Sequence, residues 1–143
     1  MAVQHFPDQL IERLPKVRGQ LIKNADLAKL TWFRVGGPAE VLFRPADKDD
    51  LKTFLYELPR EIAVTLLGIG SNTLIRDGGI PGVSIRLSNG FSEIKAEDHL
   101  IHAGAGAPNL KIANAARDYG LAGFEFLSGI PGALGGSIRM NAG

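Results

Sequence analysis

The sequence predicts an α+β protein built of two small lobes. Short apolar runs with strand periodicity and one strongly amphipathic helix alternate over residues 27–90, and a strand pair followed by a helix recurs over 91–143. Glycine, 18 of 143 residues or about 13%, clusters at the ends of these runs, well above the usual share of about 7%. With 45% apolar and 22% charged residues, the composition is that of a globular chain able to bury a core.

Residues 1–26 read as an N-terminal helical arm. Leu10, Ile11, Leu14, Val17 and Leu21 recur at helical spacing between Asp8 and Leu21, with Pro15 expected to kink the run. His5 reads as a solvated terminal residue.

The first lobe, 27–90, opens with Leu30-Thr31-Trp32-Phe33-Arg34-Val35-Gly36-Gly37-Pro38-Ala39, where bulky side chains meet a Gly-Gly-Pro turn. Trp32 and Phe33 suit either a core or a ligand-facing surface. Glu40 to Arg44 reads as a strand with Val41 and Phe43 on one face and Leu42 on the other. Asp47 is placed as an N-cap for a helix carrying Leu51, Phe54, Leu55 and Leu58, which Pro59 stops. Its acidic start, Asp47, Asp49 and Asp50, is explained by the helix dipole and not by a metal. Strands are expected over Ile62 to Leu67 and Gly82 to Leu87.

Between those strands lies the stretch around which the chain is organised, Leu66 to Gly79. The turn Gly68-Ile69-Gly70-Ser71-Asn72-Thr73 is expected to sit between Leu67 and a strand restarting at Leu74-Ile75. Gly68 and Gly70 free the backbone to take positive φ and approach a ligand, and successive N–H groups can converge on an anion. Ser71 and Asn72 add side-chain donors, which makes the turn a phosphate cradle with no helix behind it. A dinucleotide fingerprint is disfavoured, because Thr73 occupies the third glycine position and no long helix follows. A plain strand-to-strand turn is the alternative for the two glycines taken by themselves.

In the second lobe, 91–143, strands are expected over Phe91 to Lys95 and Leu100 to Gly104, across the polar turn Ala96-Glu97-Asp98-His99. His99 reads as solvated and His102 as a half-exposed structural histidine. The Ala103-to-Ala107 turn, with Gly104 and Gly106, offers close packing and no acid, base or nucleophile. A helix runs from Pro108 through Leu110, Ala113, Asn114, Ala116 and Arg117 to a Gly120 cap. The second glycine cluster runs from Ser128 to Ser137, its Ile130-Pro131-Gly132 suited to the N-terminus of a short helix. Two lobes that each end in a glycine-rich loop imply one ligand between them.

Other classes are excluded by charge and composition. A formal charge of +1 gives no basic field for nucleic acid or an anionic membrane. With no cysteine there are no disulfides, thiolate metal sites or Cys nucleophile, and no leader or membrane-length apolar run is visible, so the chain reads as cytoplasmic.

Together with Asp77-Gly78-Gly79 and Met140-Asn141-Ala142-Gly143, these glycine motifs resemble the UDP-N-acetylenolpyruvoylglucosamine reductases, also called UDP-N-acetylmuramate dehydrogenases. They are flavoproteins of the vanillyl-alcohol-oxidase (PCMH) type that complete UDP-N-acetylmuramate for peptidoglycan. The match runs in order from about Ala25 to Gly143 and covers the front of the enzyme. It implies a two-lobed FAD-binding domain whose second lobe is incomplete, a fragment lacking the substrate domain. Cofactor contacts are implied for Gly68, Ile69, Gly70, Ser71, Asn72 and Thr73 on the pyrophosphate, and for Gly104 and Gly106. In the last cluster they are implied for Ser128, Gly129, Ile130, Pro131, Gly132, Gly135, Gly136, Ile138, Asn141, Ala142 and Gly143.

The resemblance further implies FAD held without a covalent bond, since Ser71 stands where some relatives carry a histidine. NADPH would be the reductant, a UDP-sugar the substrate, and the full-length enzyme a monomer. The family's catalytic serine, arginine and glutamate would lie beyond Gly143, so no catalytic residue is assigned here and Arg139 is not given that role. An oxidase of the same fold acting on a sugar or alcohol, and a flavin-binding module without catalysis, are the competing readings.

Overall fold

Between Gly19 and Asp26 the chain runs as a strand, β1 (Gln20–Ala25), where the helical spacing of Leu14, Val17 and Leu21 predicts an arm. Helix is confined to one 3-10 turn, Ile11–Arg13, because Pro15 closes that turn and the backbone of residues 20–25 is taken by pairing to a neighbouring strand. The computed structural model describes residues 5–87 and 89–143; the start of the expected arm, 1–4, and residue 88 of the expected first lobe lie outside them. The chain divides into two units, Met1–Arg86 and Leu87–Gly143.

In the first unit β1 pairs antiparallel with β2 (Ala39–Arg44), while β3 (Val64–Leu67) and β4 (Ile80–Arg86) continue parallel to β2 in the order β1-β2-β4-β3. The two inner strands carry Val41-Leu42-Phe43 and Val83-Ser84-Ile85, buried on both faces as parallel strands require. Helix α1 (Lys48–Glu57) connects β2 to β3, with the Asp47 side chain accepting the N–H of Asp50 as its N-cap. Phe54 on α1 sets its ring 4.2 Å from that of Phe43. A second apolar cluster gathers Ala25, Leu27, Ala39, Leu42 and Ile75.

Ile75 explains a second departure from expectation. Leu74-Ile75 does not restart a strand: Leu74 is exposed, Ile75 anchors in the cluster, and residues 68–79 form one long connection from β3 to β4. The backbone of Ile75 is covered by Gly36, whose missing side chain leaves the Ile75 carbonyl only 2.3 Å from where a Cβ would be, so no strand partner can lie there.

The second unit holds the hairpin β5 (Ile94–Glu97) and β6 (Leu100–Ala103), closed by Asp98-His99 with Asp98 at φ 50°. Helix α2 (Asn109–Asp118) and α3 (Leu134–Met140) follow, separated by a 3-10 turn, Glu125–Gly129. Ala107, Ile112 and Leu127 form its core with Ile94, Ile101 and Leu134 packed around them. His102 is exposed and stands opposite Lys95. Ile130-Pro131-Gly132 does not begin a helix: Ile130 caps the preceding 3-10 turn, and α3 starts at Leu134 after the N-cap Ala133.

Candidate functional site

The parallel register of β2, β4 and β3 brings three chain segments to one sheet edge. Arg44 ends β2, Arg86 ends β4 opposite Leu67, and Gly68 leaves β3. The carboxyl edge of parallel strands is where ligands of open α/β sheets bind, since loops and unpaired backbone groups collect there.

Backbone contacts tie the loop that begins there to its neighbours. Gly70 adopts φ 75°, and its carbonyl accepts the N–H of Trp32 at 3.0 Å. A Cβ on Gly70 would lie 2.4 Å from the Leu30 carbonyl and 2.9 Å from Cα of Thr31, so this glycine serves the seam between two loops. Gly68 is different: it is exposed, its φ is not positive, and a Cβ there would meet nothing within 4 Å. Among the described residues the N–H groups of Gly68, Ile69, Gly70 and Asn72 donate to no carbonyl of the protein. Gly37 and Gly79 both donate to the Arg76 carbonyl at 2.9 Å, locking the Gly-Gly-Pro turn onto the far end of the loop.

Beside the loop opens a cleft of about 410 Å3 lined by Lys29, Leu30, Thr31, Trp32, Arg34, Ile69 and Arg86. Lys29 is paired with Asp26 at 3.2 Å, but among the described residues Arg34, Arg44 and Arg86 make no ion pair. Burial, reinforced by the like charge of Arg44, pushes the Arg86 guanidinium below its usual value. Thr31 is 6% exposed, and its Oγ1 is buried without a hydrogen-bond partner among the described residues. Trp32 and Phe33 are 61% and 57% exposed, which removes the core alternative for both.

In the second unit the 104–107 turn and the second glycine cluster come together. Leu134 donates to the Ala107 carbonyl and Gly135 to the Ala105 carbonyl, both at 2.9 Å. Asn109, fully buried, donates its side-chain amide to the Ile130 carbonyl at 3.0 Å and to Ser137 Oγ at 2.6 Å, and its backbone N–H to the Gly132 carbonyl. Gly104 serves internal packing, since a Cβ would fall 2.0 Å from the Phe91 carbonyl. Gly129 and Gly136 face open space. Ser128 is exposed and donates its hydroxyl to the Glu125 carbonyl; Pro131 and Ile138 are also exposed, while Asn141 takes a left-handed φ of 50° as the C-cap of α3 ahead of Ala142 and Gly143.

The expected site residues thus fall into two groups, 68–73 in the first unit and 104–143 in the second. Sequence reasoning missed Arg44, Arg86 and Asn109. Arg86 reads as the polar end of a strand, and only the parallel register sets it beside Arg44 and Leu67. For Asn109 a signal was present: an amide directly after the helix-opening Pro108.

A family model described as FAD binding domain matches residues 39–143. The UDP-N-acetylenolpyruvoylglucosamine reductase of Azorhizobium caulinodans is 56% identical over all of this chain and 47% of its own length. That of Parvibaculum lavamentivorans is 57% identical over 94% of this chain and 43% of its own. The crystal structure of UDP-N-acetylenolpyruvylglucosamine reductase from Thermus caldophilus matches with a TM-score of 0.69 at 34% identity, over 90% of this chain and 44% of that one. The chain therefore spans about half the length of the relatives it matches.

Proposed function

The chain belongs to the FAD binding domain family, and from that premise we propose that it is the flavin-binding part of an NADPH-dependent reductase converting UDP-N-acetylglucosamine enolpyruvate to UDP-N-acetylmuramate for peptidoglycan. The observation that carries the reading is the 56% identity, over the whole chain, to a relative named for that reductase. None of the relatives reported above is an oxidase.

The residues present suit a flavin dinucleotide. Gly68, Ile69, Gly70 and Asn72 offer backbone N–H groups, with open space where a Cβ on Gly68 would lie, and among the described residues Thr31 keeps a buried hydroxyl without a partner and Arg86 and Arg34 have no counter-ion. In this reading the pyrophosphate lies on Gly68 to Thr73, and the flavin side is met by Gly104, Gly106, the segment from Ser128 to Gly136, Ile138 and Asn141 to Gly143. When bound, FAD would relay hydride from NADPH to the enolpyruvyl double bond. The protein's own part is to bind and orient: neutral N–H donors and arginines hold the phosphates, and the small residues of 104–107 and 132–136 let a flat ring lie against backbone. No residue of the chain is assigned to proton transfer. A cytoplasmic, monomeric enzyme acting on a UDP-sugar without nucleic-acid or membrane partners completes the proposal; among the described residues no helix is long and apolar enough to cross a membrane.

The test is a chimera in which these 143 residues replace the matching part of the Azorhizobium caulinodans reductase. It should purify yellow, release one FAD per chain on denaturation, and oxidise NADPH only when the enolpyruvyl UDP-sugar is added. A folded chimera that carries no FAD, or one that reduces oxygen with simple alcohols or sugars instead, overturns the reading.

A further inference from the structure

The first described residues of the chain are tied down where a terminus is ordinarily loose. His5, Pro7, Asp8 and Gln9 are exposed, and Phe6 between them is half-buried. Asn24, in β1, holds Phe6 by both of its backbone groups. Its side-chain Oδ1 accepts the Phe6 N–H at 2.7 Å, and its side-chain N–H donates to the Phe6 carbonyl at 3.0 Å. An amide that sets one acceptor beside one donor does for Phe6 what a neighbouring strand would do. Asn24 lies between the paired positions Lys23 and Ala25 at φ 45°, a left-handed state that asparagine adopts more readily than most residues. Lys23 adds an ion pair to Asp8 at 3.4 Å, too exposed to count for much.

The strap so formed ends on the glycine loop. A Cβ on Gly79 would lie 3.1 Å from Cε2 of Phe6, so the ring rests where the 68–79 connection enters β4. Gly79 is at φ 74° and donates to the Arg76 carbonyl, which also accepts the N–H of Gly37, and Ile80 then donates to the Pro38 carbonyl at 2.9 Å. These bonds fix the far end of the loop whose near end presents the N–H groups of Gly68, Ile69, Gly70 and Asn72. An apolar ring laid on a joint of backbone hydrogen bonds raises the cost of opening it, because opening exposes the ring as well.

We propose that residues 5–8 are a strap that positions the glycine loop: Asn24 and Phe6 close it, and the closed strap holds the joint at 76–79 in the form in which the loop receives an anion. Both are positioning residues that act through the joint and not by touching a ligand. The consequence for flavin affinity rests on the reading of Gly68 to Thr73 as the pyrophosphate cradle, whereas the coupling of strap to loop does not. Coupling between two sites is reciprocal, so a ligand on the loop must stabilise the closed strap by the factor by which the strap tightens the ligand.

Amide hydrogen exchange in the 143-residue chain, without ligand, tests the coupling. Asn24→Gly tolerates the left-handed backbone and removes only the amide, while Phe6→Ala keeps the backbone bonds and removes only the ring. In both variants the N–H groups of Gly37 and Gly79 should exchange about tenfold faster than in the parent, with Leu42 and Ile85 of the inner strands at the parent's rates. In the chimera with the Azorhizobium caulinodans reductase, each variant should bind FAD about fivefold more weakly by flavin fluorescence, and FAD should slow exchange at the parent's Phe6 N–H by a similar factor. The proposal is overturned if Gly37 and Gly79 exchange at the parent's rate in both variants, or if they speed up only together with the inner strands, which marks a general loss of stability. It is equally overturned if a chimera that binds FAD does so alike in parent and variants, or if FAD leaves exchange at Phe6 unchanged. A chimera that holds no FAD overturns the reductase reading, and exchange at Gly37 and Gly79 then decides the strap.

Discussion

Gly19 donates its backbone N–H to Asp50 Oδ2 at 2.9 Å, tying the entry of β1 to the first turn of α1. The same oxygen accepts from the N–H of Ala46 at 2.9 Å, and Oδ1 accepts from that of Arg18 at 2.8 Å. An acidic residue in a helix's first turn is ordinarily explained by the helix dipole; this one, 5% exposed, is a clip that gathers three N–H groups and joins the segment at 18–19 to the start of α1.

Asp50→Ala should therefore lower stability by about 2–4 kcal/mol, since three N–H groups lose a charged acceptor. Burial pushes the Asp50 carboxyl up, but the N–H groups of Ala46, Arg18 and Gly19, with the charge of Arg18, outweigh it and hold it below the usual carboxylate value. A depressed folded-state value means that the contribution is complete above the unfolded value of about 3.9 and fades as pH falls through the lower folded one. Urea unfolding of parent and variant should show a constant gap between pH 5 and 7 that narrows below pH 4.

Gly70 and Gly68 should separate fold from binding. Gly70→Ala places a Cβ at φ 75° against the Leu30 carbonyl and should cost about 2 kcal/mol or more in thermal unfolding. Gly68→Val meets open space, so its unfolding temperature should stay near the parent's while FAD affinity falls, as measured by flavin fluorescence.

Asn109→Ala should destabilise the second unit by about 2–3 kcal/mol, because the Ile130 carbonyl and Ser137 Oγ each lose a buried donor. The amides of Leu134 and Gly135 should then exchange with deuterium faster, as the segment from 130 to 137 loses its tie to α2.

Elements governed by neighbours in sequence were legible. The Asp47 cap, the helix that ends before Pro59, the strand at 39–44 and the existence of a strand pair in the second unit follow from local chemistry, although Leu55 of the expected stripe is exposed and β5 spans Ile94–Glu97 where 91–95 is expected. What escaped depends on distant segments. Leu14, Val17 and Leu21 satisfy helical spacing, yet Leu21 pairs with Phe43 in a sheet. Gly70 was visible as a glycine free to take positive φ, which it does, whereas Gly68, read the same way, does not. The carbonyl that needs Gly70 belongs to Leu30, forty positions away. Arg86 carries no motif: its importance lies in having no ion-pair partner among the described residues, which only three-dimensional neighbours can reveal.

The glycine seam also bears on how proteases would meet this chain. Where Gly36, Gly37, Gly70 and Gly79 lie against carbonyls of Ile75, Asp77, Leu30 and Pro38, a Cβ would fall within 2.1–2.4 Å, so the two connections are laminated backbone to backbone. Arg34 and Arg76 are exposed on that laminate and would each mark a tryptic cleavage point. A protease, however, must draw several flanking residues into an extended strand, and here that means peeling one connection from the other together with the anchor Ile75. Nicking at these two arginines should track opening of the sheet itself, which makes two surface loops as resistant to digestion as the core they cover.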